Sequence, residues 1–129
     1  MEKKGKILIV DDDADFVLAN RIVLEANQYE VIEAVNREEG FRKAKEEKPD
    51  LIIMDVAMDA KDDGFYATHA LRKDPGTSKI PILMVTAIHQ MTRFRFSPET
   101  NGEYLPVDEF IEKPVDPEHL LRRIESYLR

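Results

Sequence analysis

Apolar and β-branched residues come in five short runs, Lys6 to Val10, Glu30 to Val35, Asp50 to Asp55, Pro81 to Thr86 and Val107 to Glu112. Each is strand-length and bounded by polar or turn-forming residues, so five strands are predicted. Helical spacing fills the gaps. Phe16, Ala19, Val23 and Ala26 make an apolar line on a helix starting at Asp13 or Ala14 and ending at Gln28-Tyr29. Asn36 caps a helix from Arg37 to about Glu47, with Glu39 placed to complete a capping box and Pro49 closing it. A third helix runs from about Phe65 to Lys73 and stops at the Asp74-Pro75-Gly76 turn. Pro117 sits near the first turn of a last helix with Leu120, Ile124 and Leu128 on one stripe.

Strands alternating with helices predict a parallel sheet covered on both faces. Short right-handed crossovers lead to a doubly wound sheet in the order 2-1-3-4-5, whose switch point lies between the first and third strands. Five residues then meet at the carboxyl edge, because Asp11, Asp12, Asp55, Thr86 and Lys113 each close or follow a strand. That edge is where open α/β sheets bind ligands.

At 129 residues and 14.9 kDa the chain is expected to be one domain, 1–129, with residues 1–5 a flexible tail and no output domain. The absence of cysteine excludes thiol catalysis and cysteine-ligated metal. No signal peptide or membrane span is read, and a cytoplasmic location is expected. A net charge of -7 with scattered lysines and arginines argues against nucleic acid as a partner. His69, His89 and His119 show no metal spacing.

Three carboxylates in one pocket repel each other, by ~4 kcal/mol per pair at 4 Å and an effective dielectric near 20. A cation must offset this, and oxygen-only ligands suit a hard ion such as Mg²⁺ that also takes phosphate. With a phosphoryl group present, Asp55 can act as nucleophile and form an acyl phosphate. Asp12, and Asp11 through water, would hold the metal, while Thr86 and Lys113 serve the remaining phosphoryl oxygens.

These residues and their flanks resemble the response-regulator receiver family of two-component signalling. The resemblance rests on Ile-Leu-Ile-Val-Asp-Asp-Asp at 7–13, Asp-Leu-Ile-Ile-Met-Asp-Val at 50–56, Pro-Ile-Leu-Met-Val-Thr-Ala at 81–87 and Lys-Pro at 113–114. It implies an α/β, flavodoxin-like fold and a phosphoacceptor, Asp55, served by Asp11, Asp12, Mg²⁺ and Lys113. It further implies Thr86 and Phe110 as switch residues and the Ala57 carbonyl as a metal ligand. Partners would be a histidine kinase or phosphotransfer protein and a downstream protein target. Catalysis would extend only to the protein's own phosphorylation and dephosphorylation, so it would not be an enzyme in the ordinary sense.

Two segments depart from that family. The loop from Ala57 to Gly64 lacks the usual proline and carries extra acids at Asp59, Asp62 and Asp63, read as solvated. Between Ile88 and Pro106, Pro98, Gly102 and Pro106 break any long helical pattern, so the helix before the fifth strand is expected to be short, displaced or missing. Arg93-Phe94-Arg95-Phe96 alternates like an extended piece. Ala57 and Ile88, which cannot orient a water, predict slow self-dephosphorylation.

The alternative is a small phosphohydrolase resembling the haloacid dehalogenase superfamily, with Asp11 as nucleophile, Asp13 as general acid, and Thr86 and Lys113 in support. The chain has no cap insertion for it, and Asp55 would be left without a task. A phosphorylation-independent interaction module is the third possibility, opposed by the intact set of five residues.

Overall fold

The computed structural model describes residues 4–55, 63–86, 107–113 and 115–128, without the side chains of residues 63–67 and 86. In chain order the elements are β1 (Gly5–Val10), α1 (Ala14–Ala26), β2 (Tyr29–Ala34), α2 (Arg37–Glu47), β3 (Leu51–Asp55), α3 (Asp63–Lys73), β4 (Ile82–Thr86), β5 (Glu109–Glu112) and α4 (Pro117–Leu128). The strands form one parallel sheet ordered 2-1-3-4-5, as the alternation predicts. The expected irregularity at 88–106, the alternating piece at 93–96 and most of the loop after Asp55 lie outside the described residues.

Strand alternation divides the core into two layers. Ile7, Ile9, Leu51, Ile53, Leu83, Val85 and Ile111 face α1 and α4, where they meet Val17, Leu24, Leu120, Leu121 and Ile124. Leu8, Val10, Ile52, Met54, Ile82 and Met84 form the other layer with Ala44 of α2 and Leu71 of α3. Because both faces of β3 are covered, every one of its residues is buried, which explains its unbroken apolar run.

Local chemistry sets the helix ends. Asp13 caps α1, its side chain accepting from the Asp15 and Phe16 amides. Asn36 caps α2 by accepting from Glu39 N at 2.8 Å, while the Glu39 carboxylate reaches back to Val35 N at 2.9 Å, one residue beyond the expected capping-box partner. Lys48 ends α2 in the left-handed region at φ 50, a conformation usually left to glycine or asparagine.

Three expectations need correction. The buried line of α1 is Val17, Asn20 and Leu24, with Phe16 and Val23 flanking it, whereas Ala19 and Ala26 are exposed. Apolar residues surround most of this helix, so spacing alone does not select the inner face. Asn20 enters the core because its Nδ2 donates to Phe16 O at 2.8 Å, although its Oδ1 has no partner among the described residues. Leu18 and Ile22 stay outside, more than half exposed, as does Val35 past the end of β2. Second, α1 ends at Ala26 and Tyr29 already belongs to β2. The left-handed Gln28, at φ 73, allows this abrupt reversal. Third, Lys4 and Gly5 are not tail: Lys4 N donates to Gln28 O at 2.7 Å and Gly5 opens β1 beside Tyr29.

Two clamps position the outer strand β5. Asp108 accepts from Ile82 N and from Arg72 Nη2, both at 2.8 Å, and Arg72 Nη1 also caps the Ser78 and Ile80 carbonyls. On α4, Arg123 donates twice to Glu109, at 2.8 and 2.6 Å, and Tyr127 Oη donates to the same carboxylate. The Arg123 guanidinium holds the Glu109 carboxyl below its ordinary value near 4.5. Since the folded pKa is the lower one, this contribution to stability is present above 4.5 and is lost as pH falls through the folded value. Arg123→Met is therefore expected to lower Tm at neutral pH and to converge on the parent as pH drops through that window. Thermal melts at stepped pH check this, and a deficit constant with pH would contradict it.

Gly40 brings α2 close to β1. A Cβ there would lie 2.9 and 3.0 Å from the two γ-carbons of Val10, a fully buried and stiff side chain. Gly40→Ala is expected to destabilise by about 1–2 kcal/mol, overpacking outweighing a gain of ~1 kcal/mol in helix propensity. In a Val10→Ala background the same change becomes neutral or stabilising, a coupling that denaturant titration of the four proteins measures.

Candidate functional site

The carboxyl edge of the sheet carries the candidate site because β1 and β3 are neighbours and end level, Val10 pairing with Met54. Asp11 follows β1, and Asp55 is the last residue of β3. Asp11 is 2% exposed and Asp55 5%, whereas Asp12 is open to solvent. One carboxylate oxygen from each of the three lies within 4.8 Å of the others. Lys113, directly after β5, places Nζ 3.3 Å from Asp11 Oδ2 and 3.6 Å from Asp55 Oδ1.

Asp11 is fixed by its neighbours. Its amide donates to Ala34 O at 3.0 Å, and its Oδ1 accepts from Asp13 N at 2.9 Å. Burial pushes its carboxyl above the ordinary value near 3.8, outweighing the Asp13 amide and the Lys113 ammonium, which both pull it down. Three carboxylates against the Lys113 ammonium leave the cluster with more negative charge than that cation offsets. Three hard oxygen donors with excess negative charge fit a small divalent cation of the Mg²⁺ type.

Of the residues expected here, Asp11, Asp12, Asp55 and Lys113 come together. Thr86 closes β4 level with Glu112, one residue before Lys113; its side chain lies outside the described residues, as does Ala57. Phe110 is away from the acids, partly buried against the layer that contains Met84. Asp13, the general acid of the hydrolase alternative, uses Oδ1 to accept from two amides of the first turn of α1.

Three contributors escaped the sequence reading. Phe16, taken there only as a core residue, lies with its ring centroid 4.9 Å from Lys113 Nζ. Its position in the first turn after the acidic run is the signal that was available. Arg72 and Asp108, which register β5 and hence Lys113, carry no local pattern because they are 36 residues apart.

The sequence description of the response regulator receiver domain matches residues 7–125. The chain belongs to the response regulator receiver family. Protein PilH of Pseudomonas aeruginosa is 37% identical over 124 residues, which cover 96% of this chain and 98% of PilH. RpaA of Synechocystis, a DNA-binding transcriptional regulator, is 36% identical over 96% of this chain, but the match takes in 49% of RpaA. The chain thus spans about half the length of that relative and of several other regulators like it. The crystal structure of the chemotaxis response regulator CheY4 of Vibrio cholerae matches with a TM-score of 0.79 at 29% identity, covering 99% of this chain and all of that one.

Receiver domains are signalling modules rather than ordinary enzymes, and they work between a phosphodonor and a downstream target. They typically bind Mg²⁺ through an aspartate cluster, and this receiver has one at Asp11, Asp12 and Asp55. The dehalogenase-like alternative finds no support. No helix among the described residues is long and apolar enough to cross a membrane.

Because its folded pKa is raised, ionised Asp11 costs no stability below about 3.8, and the full cost applies above the folded value. Asp11→Asn is therefore expected to raise Tm of this receiver at neutral pH without metal. Added Mg²⁺ should stabilise the parent more than the variant. Melts with EDTA or with Mg²⁺ check both, and a metal-free variant less stable than the parent would show that the Lys113 pair outweighs burial.

Proposed function

We propose that this receiver takes a phosphoryl group from a phosphohistidine donor onto Asp55 and passes the signal on by protein contact. The observation that carries this reading is the Asp55 carboxylate, at the end of the central strand, 3.6 Å from the Lys113 ammonium and clustered with two further aspartates. Neither the dehalogenase-like hydrolase nor a pocket without function gives Asp55 a task.

An Asp55 oxygen attacks phosphorus as the phosphorus–nitrogen bond breaks; the electron pair of that bond leaves with the imidazole, and an acyl phosphate forms. When bound by Asp11, Asp12, Asp55 and the Ala57 carbonyl, Mg²⁺ supplies charge neutralisation at the phosphoryl oxygens. Lys113 donates to one of those oxygens, and the Thr86 hydroxyl to another. Movement of Thr86 toward the phosphoryl group biases a two-state equilibrium that Phe110 follows on the β5 side. Having no hydroxyl, Phe110 gives up no hydrogen bond when it turns inward. A protein rather than nucleic acid as target fits the net charge of -7.

Intact mass after incubation with acetyl phosphate and Mg²⁺ tests the reading. One phosphoryl adduct is expected on the parent, none on Asp55→Asn, and a reduced yield on Asp11→Asn. Catalytic release of inorganic phosphate with Asp55 dispensable and Asp11 essential would overturn it in favour of a hydrolase.

A further inference from the structure

We propose that Phe16 is a positioning residue for Lys113, its ring face holding the ammonium beside Asp11 and Asp55 where phosphoryl oxygens arrive; this deepens, and rests on, the phosphoacceptor reading. The centroid lies 4.9 Å from Nζ, inside the ~6 Å over which an aromatic face attracts a cation. The Lys113 side chain is 26% exposed, so water does not fully screen that attraction. Among the described residues its ammonium meets two carboxylates and one ring, while its long stem has many other rotamers open to it.

Phe16 is well placed to hold such a chain still. Its amide donates to the Asp13 cap at 3.2 Å, its carbonyl accepts from Asn20 Nδ2 at 2.8 Å, and its side chain packs against the α1/α4 layer of the core. The contacts close on themselves. Asp11 Oδ1 accepts from Asp13 N, Asp13 Oδ1 accepts from Phe16 N, the Phe16 ring meets Lys113, and Lys113 returns to Asp11 Oδ2. The first turn of α1 thereby ties an acid of the cluster to the cation opposite.

An aromatic ring offers something that the carboxylates do not. Asp55 gives up its carboxylate when the acyl phosphate forms, and Asp11 is claimed by metal, but the ring's attraction for the ammonium is unchanged throughout. Leucine would fill much of the same apolar space without that attraction, which separates packing from positioning.

The test uses the whole chain with lysine labelled at the ε-carbon, Phe16→Leu and Phe16→Tyr, and Lys113→Met to assign the resonance. In the parent, the Lys113 ε-methylene protons are expected upfield of the other lysines through the ring current; Phe16→Tyr keeps this shift and Phe16→Leu loses it. With saturating acetyl phosphate and Mg²⁺, Phe16→Leu should be phosphorylated about fivefold more slowly and Phe16→Tyr within about twofold of the parent, the scale of one partly desolvated cation–π contact. Tm and Mg²⁺ affinity of Phe16→Leu should stay near the parent's. The small donor removes any role of Phe16 in docking a donor protein.

An unshifted Lys113 in the parent, an unchanged rate in Phe16→Leu, or equal slowing in Phe16→Leu and Phe16→Tyr would each overturn the proposal. If the parent takes no phosphoryl group at all, the phosphoacceptor reading falls, while the ring-current shift still decides whether Phe16 holds Lys113.

Discussion

Packing three carboxylates within 4.8 Å of one another, against one ammonium that touches two of them, is the constraint around which this receiver is arranged. Left alone, such a cluster would drift apart or take up protons. It cannot drift, because Asp11 and Asp55 leave strands whose side chains are almost wholly buried and whose ends are level. The unfavourable charge is stabilised by the core beneath it: the last four residues of β1 and all of β3 are buried, and the two strands are neighbours because the chain winds outward in opposite directions from them. The same topology opens the crevice in which the acids face solvent through Asp12.

Lys113 reaches the cluster from farther away, past the end of an outer strand of four residues. So short a strand has few ladder bonds, and side chains do much of the registering. Arg72 and Asp108 tie its approach to β4, and Arg123 and Tyr127 tie its first residue to α4. The cation is thus positioned by contacts distributed over three helices and two strands, whereas the acids are positioned by the backbone of their own strands.

That difference explains what could be read from the sequence. Strand order, both faces of the sheet, the start of α1 near Asp13, the cap Asn36, and the acids at strand ends follow from short-range patterns. The inner face of α1 did not, because Phe16, Val17, Leu18, Ala19, Ile22, Val23 and Leu24 leave no single apolar stripe and a buried Asn20 looks polar in sequence. Phe16 could be recognised as apolar, but its partner is a lysine 97 positions later (113 − 16). Arg72 read as one more surface charge, since its partners Ser78, Ile80 and Asp108 are assembled only by the fold. Local rules locate the candidate site's acids and its lysine, and long-range packing decides which other residues hold them.

The two border strands have a further consequence. An open sheet leaves peptide groups unpaired along each side, an invitation for another chain to extend it. Here the borders are β2 and β5, and both are rich in glutamate: Glu30 and Glu33 on one, Glu109 and Glu112 on the other. Lys43 takes the Glu33 carbonyl at 2.5 Å, and β5 offers little length for a foreign strand. Strand-to-strand polymerisation is therefore discouraged by like charge and short length, leaving helix and loop surfaces for reversible contacts.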